Sequence, residues 1–175
     1  MSAPAEESSR TPEQVSGARI SERPAEAAAG VIHVALGDVI ALLDPPADSG
    51  NCVLIAWSTG GPVGVDVEAV KPGRRTLLME MAQSAFSPAA FAVLRSIKSE
   101  DTAATFYRIW VRKEAVLKAE GDGLGGPMQS FSVVGLTSKG IQWSEEITLP
   151  SHDRIWRICD LKPAPAHAAC IAVPL

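Results

Sequence analysis

The apolar residues of this chain change their spacing twice, and the order of those changes limits the folds open to it. Residues 31–43 and 52–58 are apolar, partly β-branched runs bounded by turn residues, and 63–67 alternates, which together predict three strands. From Thr76 to Ala119 the spacing turns helical. Beyond the glycine-rich stretch 121–126 it becomes strand-like again, at 130–135, 141–149, 154–161 and 168–173. Strands, then helices, then strands, without βαβ alternation and without an internal repeat, predict an α+β fold in which a mainly antiparallel sheet packs with helices.

Local punctuation refines this outline. Asp44-Pro45-Pro46 ends the first run, and Asp48-Ser49-Gly50-Asn51 has strong turn chemistry. Thr59-Gly60-Gly61-Pro62 predicts a tight turn that makes a hairpin of 52–58 and 63–67. A loop, Lys71-Pro72-Gly73-Arg74-Arg75, precedes a helix from Thr76 to Phe86. Ser87 and Pro88 suit the cap and first position of a second helix over 88–97. Asp101 or Thr102 can cap a longer helix through Ala119, closed by Gly121. Residues 1–30 hold only two branched aliphatics, Val15 and Ile20, so they are expected to be a disordered tail before a single domain over 31–175.

Composition removes several function classes. Sixteen Lys and Arg against 20 Asp and Glu give a net charge of −4, with no basic block, which disfavours nucleic-acid binding. No apolar run reaches the roughly 18 residues of a membrane helix, and the amino terminus lacks the pattern of a secretory signal. Three widely spaced cysteines, Cys52, Cys159 and Cys170, form no CxxC pair, so neither a disulfide framework nor a cysteine zinc site is expected. Their apolar neighbours predict buried, inert thiols, and Met79 and Met81 read as core filler. The balance is that of a reduced, cytoplasmic globular protein. Gly121, Gly123 and Gly126 close a helix rather than open one, unlike a dinucleotide fingerprint. Ser151-His152-Asp153 are consecutive and cannot meet as a triad.

Two segments carry candidate chemistry. On the strand 63–67, Asp66 and its second neighbour Glu68 share one face, and hard oxygen ligands so placed make a half-site for Mg²⁺. Taken alone, such a pair equally suits a strand end running into solvent. On the long helix, Trp110, Glu114 and Lys118 recur every four residues and form one stripe, with Lys113 beside Glu114. Taken alone, that stripe is an aromatic-anchored helix with one Glu–Lys pair.

Taken together, Gly64-Val65-Asp66-Val67-Glu68 and Trp110-Val111-Arg112-Lys113-Glu114-Ala115-Val116-Leu117-Lys118, followed by Gly121-Asp122-Gly123-Leu124, resemble the two signature motifs of the 4′-phosphopantetheinyl transferase superfamily. Those motifs read G-[IV]-D-x-E and W-x-x-K-E-A-x-x-K, with a G-x-G-L tail. The resemblance runs over residues 31–175 and is closest to the Sfp-type branch. It implies a 4′-phosphopantetheinyl transferase-like lobe with a reduced second lobe. It also implies a Mg²⁺-dependent enzyme, a holo-carrier-protein synthase, that moves the phosphopantetheine arm of coenzyme A to a serine of an acyl or peptidyl carrier protein. In that reading Asp66, Glu68 and Glu114 hold the metal, Glu114 accepts the serine proton, and Lys118 steadies pyrophosphate charge. Lys113 supports phosphate or structure, and Trp110 packs the helix.

The chain departs from the family upstream of the Asp/Glu strand. The family's Asn-[IL]-Ser-His-Ser-Gly segment falls on Pro46-Ala47-Asp48-Ser49-Gly50, where Ser49 and Gly50 are kept, Ala47 replaces the phosphate-facing serine and Asp48 the histidine. A carboxylate there repels phosphate. The long basic helical stretch of Sfp-type enzymes is absent between Asp44 and Ser49, so the amino-terminal half reads as shortened. Two substitutes for the lost coenzyme A grip are open: phosphate contacts from Lys71, Arg74 and Arg75, or a site shared between copies in a homo-oligomer. The alternative is a non-catalytic relative that binds carrier protein or coenzyme A without transfer.

Overall fold

The computed structural model describes residues 17–18, 29–35, 52–58, 61–121, 126–150 and 153–175, the first two segments and Trp57 by their backbone alone. The fold is α+β, with antiparallel pairing throughout the described sheets. In the first sheet β2 (Ala29–Ala35) lies between β1 (Gly17–Ala18) and β3 (Cys52–Ser58), with Ala29 opposite Ser58 and Ala35 opposite Cys52. The second sheet runs β4 (Gly64–Ala69), β9 (His167–Pro174), β8 (Ile155–Leu161), β7 (Glu146–Thr148). A separate hairpin joins β5 (Val134–Thr137) to β6 (Gly140–Trp143). Between β4 and β5 come α1 (Arg75–Ala85), α2 (Pro88–Ser96) and α3 (Thr102–Glu120).

Several boundaries move from their expected places. The hairpin of 52–58 with 63–67 does not form: β3 pairs with β2, and β4 pairs with β9, six residues in register from Gly64–Ala172 to Ala69–His167. Pro62 brings no N–H to such a turn, and β9 gives β4 a full ladder. The run 141–149 divides into β6 and β7 because the backbone changes partners at its centre. The Ser144 amide donates to the Val133 carbonyl, whereas the Glu145 carbonyl accepts from Ile158. Residues 128–130 form a 3₁₀ turn, so the strand predicted from 130 starts at Val134. The strand expected over 31–43 is β2, which begins at Ala29 and is described to Ala35. Gly17–Ala18 pairs with it, inside the segment expected to be a tail; the other residues of 1–28 lie outside the described ones.

The helices follow their punctuation. Ser87 Oγ accepts from the Ala90 amide at 3.4 Å and Pro88 opens α2. Gly121 closes α3 in the left-handed region at φ 89°, its amide donating to the Leu117 carbonyl. Asp101 makes no side-chain cap; a 3₁₀ turn over Ser99–Asp101 leads into α3 instead.

α3 lies across β4 and β9 and is buried along most of its length from Val111 to Leu117. Gly64 permits that approach. A Cβ on Gly64 would stand 2.0 Å from the Ala115 carbonyl oxygen and 2.5 Å from the Ala119 amide nitrogen, both backbone atoms of α3. Phe106 and Trp110 stack on each other with ring centroids 5.9 Å apart, and the Phe86 ring packs tilted against Phe106 at 5.1 Å.

One polar cluster ties α3 to β8. Arg112 donates to both carboxylate oxygens of Asp160, at 2.6 and 2.9 Å, and to the Ser144 carbonyl at 2.8 Å. Arg108 adds a third donor to Asp160, and both guanidinium groups lie over the Trp143 ring. Burial alone would raise the Asp160 carboxyl, but the hydrogen bonds and charge of Arg112 and Arg108 outweigh it and hold Asp160 below its ordinary value.

Two predictions follow from these contacts. Gly64→Ala must push α3 off β4 and should destabilise the fold by about 2 kcal/mol or more in chemical denaturation; an unchanged midpoint contradicts the close approach. Asp160→Asn strands the buried Arg112 charge and should cost about 2–4 kcal/mol at pH 7. Because the folded Asp160 is depressed, its stabilising effect is present above its unfolded pKa of about 3.9 and is lost as pH falls below that. The gap between wild type and Asp160→Asn should therefore close in denaturation series run down to acid pH.

Candidate active site

Alternation along β4 places Gly64, Asp66 and Glu68 on one face, and the Gly64 contact shows that this face lies under α3. The acidic pair is thus turned toward the helix and not into solvent. α3 answers with Glu114 and, one turn later, Lys118. Asp66 is 7% exposed and Glu114 2%. Lys118 Nζ donates to Asp66 Oδ1 at 2.5 Å. Asp66 Oδ2 and both Glu114 carboxylate oxygens are buried and accept no hydrogen bond.

The electrostatics record the same crowding. Burial pushes the Asp66 carboxyl up, with Lys118 opposing it through charge and hydrogen bond. Burial raises Glu114 as well, the negative charges of Asp66 and Glu68 raise it further, and Lys118 pulls it down. Three carboxylates and one ammonium therefore act on one another: Asp66, Glu68, Glu114 and Lys118. A buried acceptor left unsatisfied costs about 1–3 kcal/mol, and more when it is charged. Hard, unpartnered oxygens of this kind fit a divalent cation such as Mg²⁺. The fit is in donor chemistry: among the described residues no three His, Cys, Asp or Glu side chains are drawn together as a formed metal centre. Lys118 supplies the cation at Asp66, and Glu68 is half-buried at the edge of the group.

The remaining candidates are placed elsewhere. Lys113 is fully buried and donates to the Met128 carbonyl at 2.6 Å and to the Phe131 carbonyl, with its ammonium 4.0 Å from the centre of the Phe131 ring. Its nitrogen is held inside the fold, and of the two roles open to Lys113, phosphate or structural support, these contacts are of the structural kind. The reading of Arg75 as a phosphate contact is corrected to a structural one. Its guanidinium donates to Thr102 Oγ1 at 2.5 Å and to the Ile97 and Arg95 carbonyls, joining the start of α1 to the end of α2 and the start of α3. Lys71 and Arg74 are exposed in the loop after β4. Ser49, with Ala47 and Asp48, lies outside the described residues, as do residues 122–125 of the glycine-rich stretch. Trp110 packs on Phe86 and Phe106, as expected. Cys52 and Cys170 are buried, but Cys159 is exposed, since it sits on the outward-facing register of β8. Met81 is 41% exposed and is not core filler.

Gly64 and Arg112 shape the site and were not singled out from sequence. The signal for Gly64 was available, because a glycine two residues before Asp66 shares the acidic face and leaves room above it. Arg112 offered none, since its partner Asp160 lies 48 positions away.

One comparison with known proteins spans the segment that builds this group. The family model of the 4′-phosphopantetheinyl transferase superfamily matches residues 62–172. The 4′-phosphopantetheinyl transferase Sfp of Bacillus subtilis is 35% identical over 85 residues, 49% of this chain and 36% of that protein. The 4′-phosphopantetheinyl transferase HetI of Nostoc is 37% identical over 92 residues, 51% of this chain and 38% of that protein. The chain thus spans well under half the length of these two relatives. A holo-(acyl-carrier-protein) synthase from Bacillus anthracis, solved in complex with CoA (3′,5′-ADP), aligns over 65% of this chain and 94% of its own, at 15% identity and a TM-score of 0.43. With Asp66, Glu68, Glu114 and Lys118 all inside the matched segment, the chain belongs to the 4′-phosphopantetheinyl transferase superfamily.

Proposed function

We propose that this chain transfers the 4′-phosphopantetheine arm of coenzyme A to a serine hydroxyl of an acyl or peptidyl carrier protein, with Mg²⁺ as cofactor. The observation that carries the reading is the buried carboxylate group under α3, in which Asp66 Oδ2 and both Glu114 oxygens accept no hydrogen bond. Asp66, Glu68 and Glu114 would hold Mg²⁺. When bound, the ion would neutralise the coenzyme A pyrophosphate and polarise the phosphorus under attack.

The chain's own residues supply the rest. The serine oxygen forms a bond to the phosphorus that carries the pantetheine arm, and the bond from that phosphorus to the bridging pyrophosphate oxygen breaks. Adenosine 3′,5′-bisphosphate leaves with the bond's electrons. Glu114, directly or through a water it holds, accepts the serine proton, and its raised pKa brings it closer to neutrality, as a base of this kind requires. Lys118, 43% exposed along its side chain, is a mobile point charge able to pass from Asp66 to a phosphate oxygen. Cytoplasmic placement belongs to the same reading. Cys159 and Cys170 are free thiols, and no described helix is long and apolar enough to cross a membrane.

The direct test is mass spectrometry of an apo acyl carrier protein incubated with the chain, coenzyme A and Mg²⁺. A gain of one phosphopantetheine that EDTA abolishes is expected. No gain across several carriers, from a folded sample, would favour a relative that binds without transfer. Glu114→Gln should lower the transfer rate by at least about 100-fold. The same substitution should raise stability at neutral pH. Glu114 has a folded pKa above its unfolded value, so ionising it disfavours the fold as pH climbs through that interval. The gain for Glu114→Gln should thus be largest above the folded pKa and vanish below about pH 4, as measured by thermal unfolding; a uniform destabilisation would contradict the burial of this carboxylate.

A further inference from the structure

The strongest unused feature is the Lys113 amino group. It is fully buried on the residue next to Glu114, burial lowers its pKa to about 7, and its hydrogen-bond partners among the described residues are the backbone carbonyls of Met128 and Phe131. Consecutive helix residues point about 100° apart. Arg112, Lys113 and Glu114 therefore leave α3 in three directions: Arg112 to Asp160 on β8, Lys113 to the 128–131 segment, and Glu114 into the carboxylate group beside β4. Two directions pinned by multiple hydrogen bonds fix the helix's rotation about its axis, and with it the third. Lys113 also fastens the segment that re-enters the fold after the glycine-rich stretch, because Met128 opens the 3₁₀ turn at 128–130 and Phe131 follows it.

We propose that Lys113 is a positioning residue for the transfer reaction: by joining α3 to the carbonyls of Met128 and Phe131, it sets the direction from which Glu114 meets Asp66, without touching coenzyme A. This rests on the transfer reading above. An amino group suits the task because, neutral or protonated, it can donate to both carbonyls from one point 4.0 Å from the centre of the Phe131 ring. Arginine, planar and longer, cannot converge on the same point.

The test compares wild type with Lys113→Met and Lys113→Arg in three measurements: kcat for transfer, KM for coenzyme A, and Mn²⁺ affinity by electron paramagnetic resonance. Removing a group that orients a ligand typically costs about 10–100-fold in metal affinity or activity. Both variants should show that loss in kcat and in Mn²⁺ affinity, with KM for coenzyme A within about threefold of wild type. A KM raised tenfold or more, with kcat and Mn²⁺ affinity intact, would overturn the proposal and make Lys113 a phosphate ligand. Wild-type values throughout would overturn it too. Should Lys113→Met fail to fold by circular dichroism, Lys113→Gln, whose amide still reaches one carbonyl, takes its place with the same expectation. Failure of the underlying reading is separately visible in the wild type alone, as no product together with no Mn²⁺ binding.

Discussion

The carbonyl oxygen of Ala115 occupies the space where a side chain on Gly64 would begin, and the rest of the site depends on that closeness. With any other residue at 64, α3 would ride higher on β4, and water could solvate Asp66 and Glu114. As the chain stands, the strand's acidic face is sealed by the helix, and burial raises both carboxyls while their mutual charge raises Glu114 further. A stretch of β4 that would cost nothing in solvent becomes an electrostatic liability, relieved in part by Lys118. Such unrelieved charge in a buried site is how proteins prepare to receive a cation and to shift a proton.

The same helix is held by groups that face away from the chemistry. Arg112 and Arg108 converge on Asp160, while Arg75 links the starts of α1 and α3 and the end of α2. These are long-range polar contacts, and removing Asp160 would leave the buried Arg112 charge unpaired in the interior. They make α3 rigid in rotation and translation. A reaction that requires oxygens aligned to within about half an ångström needs that rigidity.

Much of this was legible in the sequence, for identifiable reasons. The order of spacing changes gave the α+β class. Ser87-Pro88 and Gly121 marked helix ends because capping chemistry is local. The Asp66/Glu68 pair and the Glu114/Lys118 stripe were visible as motifs, and the fold brings them together. What the sequence could not show was pairing at a distance. Nothing in 52–69 says that β4 will prefer β9, about a hundred residues on, to its neighbour β3. Nor does anything near 141–149 say that the backbone changes partners at Ser144. The basic residues misled for the same reason. Arg75 read as a phosphate contact, and Lys113 as phosphate or structural support, because a lone cation invites that reading, whereas the fold gives Lys113 to backbone carbonyls and Arg75 to carbonyls and the Thr102 hydroxyl.

The central claim is that Asp66 and Glu114 form a buried, mutually repelling pair beneath α3. Its most direct measurement is a carboxyl-resolved NMR titration of the metal-free chain, with Asp66→Asn and Glu114→Gln used for assignment. The account predicts that both groups titrate above the ordinary carboxylate range, and that Glu114 moves down when Asp66 is neutralised. Ordinary values for both, unmoved by either substitution, would mean that the two carboxylates stand apart in water and that α3 does not seal the site.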